Sequence, residues 1–292
     1  MSIAIGVDVG GSGIKAAAVD LETGELASER IRVLTPSPST PEAMIRVVSR
    51  LVHRITRTLG APATPVGVGM PCVILEGATV TAANIDKAWI GFAARDAMSK
   101  AVGRAVALGN DADVAGLAEM RFGIGASDPR VRVGVTIFLT LGTGTGSAVF
   151  NDGILVPNSE LGHMEIRGKD AERRSAAAAR IRRGESWKYW TGDLDEHLKA
   201  IDRILWPRFF ILGGGVSKQG ARFIPGSPAA RPSWRRPCAT RPASWVPPSS
   251  PATSPRRRRR TRTASRSVPS GTIGSAGTGP TSRRPRRPAF VR

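Results

Sequence analysis

The stretch Val7 to Lys15, V-D-V-G-G-S-G-I-K, constrains this chain more than any other. An apolar run ends in Asp8, the turn residues Gly10, Gly11, Ser12 and Gly13 follow, and Lys15 stands at the exit. Glycines leave backbone N–H groups uncovered, so such a loop can approach an anion closely. Lys15 adds a positive charge, and Asp8 is placed to hold a hydrated Mg²⁺ facing the same phosphates. The bland alternative is a hairpin turn with nothing bound. Residues 3–7 and 16–19 read as strands on either side of the loop. A strand after the glycines argues against the dinucleotide fingerprint and the Walker-type loop, whose glycines open a helix.

The pattern recurs twice. Residues 133–141 read as a strand delivering Gly142, Thr143, Gly144, Thr145 and Gly146, and residues 209–212 as a strand ending in Gly213, Gly214 and Gly215. Three unrelated turns explain this poorly. One ligand carrying several phosphates, held between two lobes that close on it, explains it together.

Thr40-Pro41-Glu42 signals a helix start, and Met44, Val47, Val48, Leu51 and Ile55 mark its apolar face. Residues 66–70 read as a buried strand. T-A-A-N-I-D-K-A-W, residues 81–89, has the composition of a binding loop. Residues 105–108 form a short strand running into Asn110-Asp111-Ala112-Asp113 and a helix, and residues 194–205 form an amphipathic helix. His53 and His197 read as lone surface histidines. Cys72 and Cys238 provide neither a disulfide framework nor a zinc set.

Phosphoryl transfer needs a group to receive the acceptor's proton and little other covalent chemistry. Asp111, at a strand end and a helix mouth, is the candidate base; its other reading is a plain helix N-cap. Glu160-Leu161-Gly162-His163 places a carboxylate and an imidazole three apart, which suits capture of neighbouring hydroxyls, such as those of a sugar.

The formal net charge is +20, which alone would point to a nucleic-acid partner. Its distribution argues otherwise. Residues 226–292 hold 16 Arg, no Lys, no acidic residue and 12 of the 22 prolines, so residues 1–225 carry +4. By composition this tail is expected to be disordered. No segment reads as a membrane span or signal peptide, so a soluble cytoplasmic protein is expected.

Taken together, I-G-V-D-V-G-G-S-G-I-K, T-A-A-N-I-D-K-A-W-I-G, L-G-N-D-A-D-V-A-G-L-A-E, L-T-L-G-T-G-T-G-S-A, P-N-S-E-L-G-H-M-E and F-I-L-G-G-G-V-S-K resemble the ROK-family sugar kinases. Within them the resemblance is to the polyphosphate glucokinases, over about residues 3–225. It implies an α/β, two-lobed actin-like ATPase fold of the ribonuclease H-like, hexokinase type, with lobes at 1–108 and 109–225 before the tail at 226–292. It also implies Asp111 as general base toward the 6-hydroxyl of glucose, and Asn84, Asn110, Glu160, His163 and Glu172 at the sugar. Gly10 to Gly13 and Gly142 to Gly146 become phosphate loops, and Gly213 to Gly215 lie beside a nucleotide. The donor is polyphosphate, ATP or both, with Mg²⁺, and a homodimer is expected.

Two departures bear on this. The cysteine-rich zinc motif of most ROK glucokinases is missing from residues 164–183, as in the polyphosphate enzymes, so no zinc is expected. Cys72 stands where the family usually has glycine, which puts that wall of the sugar site in question.

The tail reads as out of frame. Moving the frame back by one nucleotide permits L-R-N-T-A-G-I-V-G-A-A-L-V-A over residues 238–251 and T-P-V-V-A-A-T over 231–237, resembling the family's closing segment. A one-base deletion, or an equivalent two-base insertion, near codons 225–230 accounts for it, in the gene or in its sequencing. Loss of the closing helix would remove apolar burial worth several kcal/mol.

Other readings stay open: an ATP-only glucokinase, a mannose-accepting relative, a sugar-sensing repressor or an arginine-rich polyanion-binding module. The repressor lacks a DNA-reading segment among the seven residues before Asp8. The tail can bind nucleic acid nonspecifically. Lys15, Lys87 and Lys100 are possible guides for polyphosphate.

Overall fold

Two seven-residue strands flank the first glycine cluster in the computed structural model, which describes residues 2–223. The tail, with its reading as disordered and out of frame, lies outside the described residues. β1 (Ile3–Val9) and β2 (Ile14–Asp20) pair antiparallel with Asp8 opposite Lys15. The glycines are therefore the turn of a hairpin, closed by the Gly10 N–H donating to Gly13 O at 3.1 Å.

β3 (Ile31–Val33) borders β2. α1 (Pro41–Leu59) starts as its sequence dictates, with Thr40 Oγ1 accepting from the Ala43 amide and Pro41 in the first turn. It ends at Gly60, whose φ of 63° is the left-handed geometry glycine adopts without penalty. Met44, Val47, Val48, Leu51 and Ile55 are all buried. β4 (Val66–Met70) lies parallel to β1. The small hairpin of β5 (Ile74–Leu75) and β6 (Ala78–Thr79) precedes α2 (Ala94–Val102), and β7 (Val106–Asn110) lies parallel to β4. The resulting order is β3-β2-β1-β4-β7. Ile5, Val7, Met44, Val68, Trp89 and Met98 fill the core beneath this sheet.

The second half repeats the construction. After α3 (Asp111–Phe122) and the single turn α4 (Ile124–Ser127), β8 (Val135–Leu141) and β9 (Thr145–Asn151) form another seven-residue hairpin turning through glycines. β10 (Ile154–Val156) borders β9. A two-residue hairpin, β11 (Glu165–Ile166) with β12 (Lys169–Asp170), leads into α5 (Glu172–Ser175), α6 (Ala177–Arg182) and α7 (Trp187–Leu205). β13 (Phe209–Gly213) then joins β8 in parallel, giving the order β10-β9-β8-β13. In both sheets a hairpin with glycines at its tip gains a parallel neighbour, so the glycine tips mark equivalent ends of two similar sheets.

Among the described residues the chain passes from one sheet to the other once, at Asn110–Asp111. A separate clasp joins the halves. Asn158 exchanges two hydrogen bonds with the Ile74 backbone at 2.8 and 2.9 Å, while its own amide donates to Asp113 Oδ2 at 2.7 Å. Its φ of 60° is one that asparagine tolerates better than most residues.

Two expectations need correction. The last helix begins at Trp187, capped by Ser186, and not at Leu194. Trp187 and Trp190 pack with Phe223 at 6.0 and 5.2 Å, which gives that first turn a tertiary reason to be helical. His197 is not on the surface: it is 1% exposed. Its Nε2 lies 2.9 Å from Leu161 O and its Nδ1 2.9 Å from Ser175 Oγ, and burial holds its pKa below the usual value. His53 is exposed as expected. No helix among the described residues is long and apolar enough to cross a membrane.

Candidate active site

The two glycine tips face a common cavity of about 580 Å³. Gly10 to Gly13, Asp8 and Lys15 line one side and Gly142 to Gly146 the other, with Asn84, Asn110, Asp111, Glu160, His163 and Glu172 between them. Of the third cluster Gly214 reaches the cavity. Gly213 instead packs against the Phe138 ring, where a Cβ would come within 2.8 Å, so its glycine serves packing. Gly215 faces a neighbouring cavity. Lys87 and Lys100 line neither, and Lys87 Nζ donates to Ala82 O at 2.5 Å.

Asp111 stands in the first turn of α3, and the cap is Asn110. Asn110 Oδ1 accepts from the amides of Ala112 and Asp113 at 2.9 and 3.1 Å, and its Nδ2 donates to Cys72 O and Glu160 Oε1 at 3.1 and 3.2 Å. Capping is thus done by the neighbour, which answers the plain-cap reading of Asp111. Burial raises the Asp111 pKa to about 7, helped by the charges of Asp8, Glu160 and Asp113 and opposed by the Ala112 amide at 2.7 Å. A carboxylate near 7 is matched to taking a proton at neutral pH.

Glu160 is likewise pushed up, chiefly by burial and secondarily by Glu172, with His163 opposing. His163 turns Nε2 toward Glu160 Oε2 at 3.9 Å and Nδ1 toward Asp170 Oδ2 at 3.3 Å. Asp170 is outside the cavity lining and was not legible as a site residue. The β11–β12 turn brings it there, with Arg167 and Gly168 at φ 55° and 73°. His163, Asp170 and Glu172 hold ligand atoms within 4.8 Å of one another.

Cys72 is 1% exposed, and its thiol is pushed up to about 12, first by burial and then by Asp111 and Glu160. It contributes to the site through its carbonyl, which any residue supplies, so a cysteine in place of glycine leaves that hydrogen bond intact. At the first glycine tip Asp8 Oδ2 pairs with Lys15 Nζ at 2.7 Å across the hairpin. The aspartate also lines the cavity, which suits the outer shell of a hydrated Mg²⁺ beside phosphates.

The ROK family profile matches residues 4–177, more than half of the chain. The chain belongs to the ROK family. This ROK protein is 43% identical over 221 residues to the polyphosphate glucokinase of Mycobacterium tuberculosis, covering 75% of this chain and 80% of that one. Among solved structures it matches the inorganic polyphosphate/ATP-glucomannokinase of Arthrobacter sp. strain KM. The TM-score is 0.72 at 43% identity, over 77% of this chain and 88% of that one. A Streptomyces griseus ROK glucokinase solved with glucose and AMPPNP shares the fold at TM-score 0.66 and 22% identity, over 81% and 92%. The expected two-lobed actin-like α/β architecture is therefore the one this ROK protein has.

Proposed function

We propose that this ROK protein is a polyphosphate-dependent glucokinase, forming glucose 6-phosphate from glucose with polyphosphate, and also ATP, as donor. The observation that carries this is Asp111. It is a partly buried carboxyl with its pKa near 7, lining a cavity that two glycine tips also line. The likeness to the mycobacterial and Arthrobacter enzymes supplies the substrate class.

Asp111 accepts the proton of the sugar 6-hydroxyl as that oxygen attacks the terminal phosphorus. Asn84, Asn110, Glu160, His163 and Glu172 hold the remaining hydroxyls. The amides of Gly10 to Gly13 and Gly142 to Gly146 hold the donor, with Lys15 adding positive charge. Because the transition state is loose and highly charged, this positioning and electrostatic support carry most of the catalysis. Asp8 would hold a hydrated Mg²⁺, which would supply charge neutralisation at the donor phosphates. A homodimer is the family expectation, read by light scattering.

The test is glucose 6-phosphate formation with purified polyphosphate or ATP as sole donor, on this chain and on one with the tail frame restored, each with Asp111→Ala. Activity lost in the substituted protein supports the reading. Folded protein that phosphorylates glucose with neither donor ends it. The Arthrobacter enzyme's description as a glucomannokinase favours mannose as a second acceptor, and the same assay with mannose reads this.

A further inference from the structure

His197 lies outside the cavity lining, and no step of the proposed reaction uses it. Yet it is buried, and burying an imidazole costs free energy unless its nitrogens find partners. An apolar side chain of similar size would pack α7 without that cost. What the ring contributes must therefore lie in what it bonds.

Both partners belong to the segments that carry the proposed sugar residues. His197 Nε2 lies 2.9 Å from the carbonyl oxygen of Leu161, which stands between Glu160 and His163 in the chain. Its Nδ1 lies 2.9 Å from the Ser175 hydroxyl, in α5, whose first residue is Glu172. Neither segment is stiff by itself. The first is a single 3₁₀ turn (Leu161–His163) and α5 is one turn, and among the described residues no side chain caps either. α7, by contrast, is a nineteen-residue helix capped by Ser186. The Leu161 amide donates to Ser147 Oγ on β9 at 2.9 Å. Leu161 is thus held through its N–H by a strand and through its carbonyl by a long helix.

The protons of this bridge follow from its chemistry. A carbonyl only accepts, so Nε2 carries the hydrogen. Burial disfavours the charged ring and holds the pKa down, opposed by the Leu161 bond and the charge of Glu172. Nδ1 of the neutral ring then accepts from the Ser175 hydroxyl. Ser175 Oγ also lies 3.4 Å from Thr145 Oγ1, in the second glycine tip.

We propose that His197 is a positioning residue for the sugar site, whose two ring nitrogens tie Leu161 and Ser175 to α7 and so set the spacing of Glu160 and His163 from Glu172. This rests on the kinase reading above. The turn has little slack of its own, since a Cβ on Gly162 would lie 2.2 Å from Thr145 O.

The experiment measures kcat, KM for glucose, KM for the donor and melting temperature for the full chain and for His197→Gln, His197→Asn, His197→Leu and Ser175→Ala. A glutamine amide nitrogen reaches the place of Nε2 and keeps the bond to Leu161, whereas an asparagine amide reaches only the place of Nδ1. His197→Leu and His197→Asn leave a buried carbonyl unpaired and are expected to raise KM for glucose about fivefold or more, with kcat and donor KM within about twofold. His197→Gln should recover most of that loss, and Ser175→Ala should show a smaller rise. A merely structural histidine would instead move KM in step with melting temperature, whichever nitrogen is kept. An unchanged glucose KM in folded His197→Leu, or equal values for His197→Gln and His197→Asn, overturns the proposal.

A second measurement needs no His197 variant to fold. The chain has three histidines, so isotopic nitrogen labelling with His53→Gln for assignment resolves the imidazoles by magnetic resonance. His197 is expected as the neutral Nε2–H tautomer, with that proton shielded from solvent exchange and more so when glucose is added. The other tautomer, or a charged ring at neutral pH, overturns the proposal. If the unaltered chain binds glucose but phosphorylates it with neither donor, the kinase reading fails separately. Calorimetric glucose affinity then decides, with His197→Gln expected to bind more tightly than His197→Asn and His197→Leu, and equal affinities overturning the proposal. A chain that binds no glucose overturns both.

Discussion

The backbone amide of Thr145, in the second glycine tip, donates to Glu172 Oε2 at 2.9 Å. A Cβ on Gly144 would come within 2.5 Å of the same oxygen, so the tip is shaped around this carboxylate. A residue we propose to hold glucose therefore also holds the tip we propose to hold the donor. Glu172→Ala is expected to raise KM for both glucose and polyphosphate, each about tenfold or more, since a charged hydrogen bond contributes about 1.5–3 kcal/mol. Glu172→Gln keeps an oxygen for the amide and should restore the donor KM more than the glucose KM. A rise confined to glucose in the alanine variant would show that the two ends are uncoupled.

Asp111 must be ionised to accept a proton, and its pKa is about 7. The ratio kcat/KM for glucose is expected to rise with pH through that value and level above it. Asp111→Asn should lower kcat about 10²-fold to 10⁴-fold and abolish that limb. Stability runs the other way. A carboxyl whose pKa is raised on folding binds its proton more tightly in the folded state, so stability is full below about 4 and declines as pH rises through about 7. Asp111→Asn is thus expected to melt higher than the unaltered protein at pH 8, by about 2–4 °C per kcal/mol relieved. Equal melting temperatures would mean that the desolvation of Asp111 is relieved in the folded protein.

The glycines of the site serve different ends, and substitution should separate them. A Cβ at Gly142 meets nothing within 4 Å, whereas one at Gly162 would lie 2.2 Å from Thr145 O. Gly142→Ala is expected to fold with a normal melting temperature while weakening donor use, because the methyl stands where phosphate oxygens approach the backbone. Gly162→Ala must displace backbone and should destabilise by several kcal/mol. Thermal melts and donor KM values for the pair read both effects.

Asp170 lies behind His163, 3.3 Å from its Nδ1. An acceptor there fixes which imidazole nitrogen would face the proposed sugar. Asp170→Ala is expected to raise KM for glucose about fivefold or more with the donor KM unchanged. Asp170→Asn, which retains an oxygen, should recover most of the loss. Equal effects on both substrates would point to a general loosening of the β11–β12 hairpin instead.

The glycine tips were legible because the neighbouring residues already spelled strand on both sides, and the helix at Thr40–Pro41 because its cap and stripe are local. Which strands lie together was not. The parallel pairing of β1 with β4, and of β4 with β7, joins segments separated by whole helices, and no local pattern records it. His197 misled for a related reason. In L-D-E-H-L-K its neighbours look solvated, yet its two partners, Ser175 and Leu161, lie 22 and 36 residues away. Asp170 was hidden by scale, since its hairpin has strands of two residues, too short for any alternation. Asn110 was read as a sugar ligand but not as the cap, which its Oδ1 provides while its Nδ2 donates to Glu160.

Asn110 and Asp111 are also where the chain leaves the first sheet for the second half. If the halves were to move against each other about that point, the glycine tips, being farther away, would travel more than the Asp111 carboxylate. The gap between the tips would then be the adjustable dimension, and the proposed base would stay nearly in place.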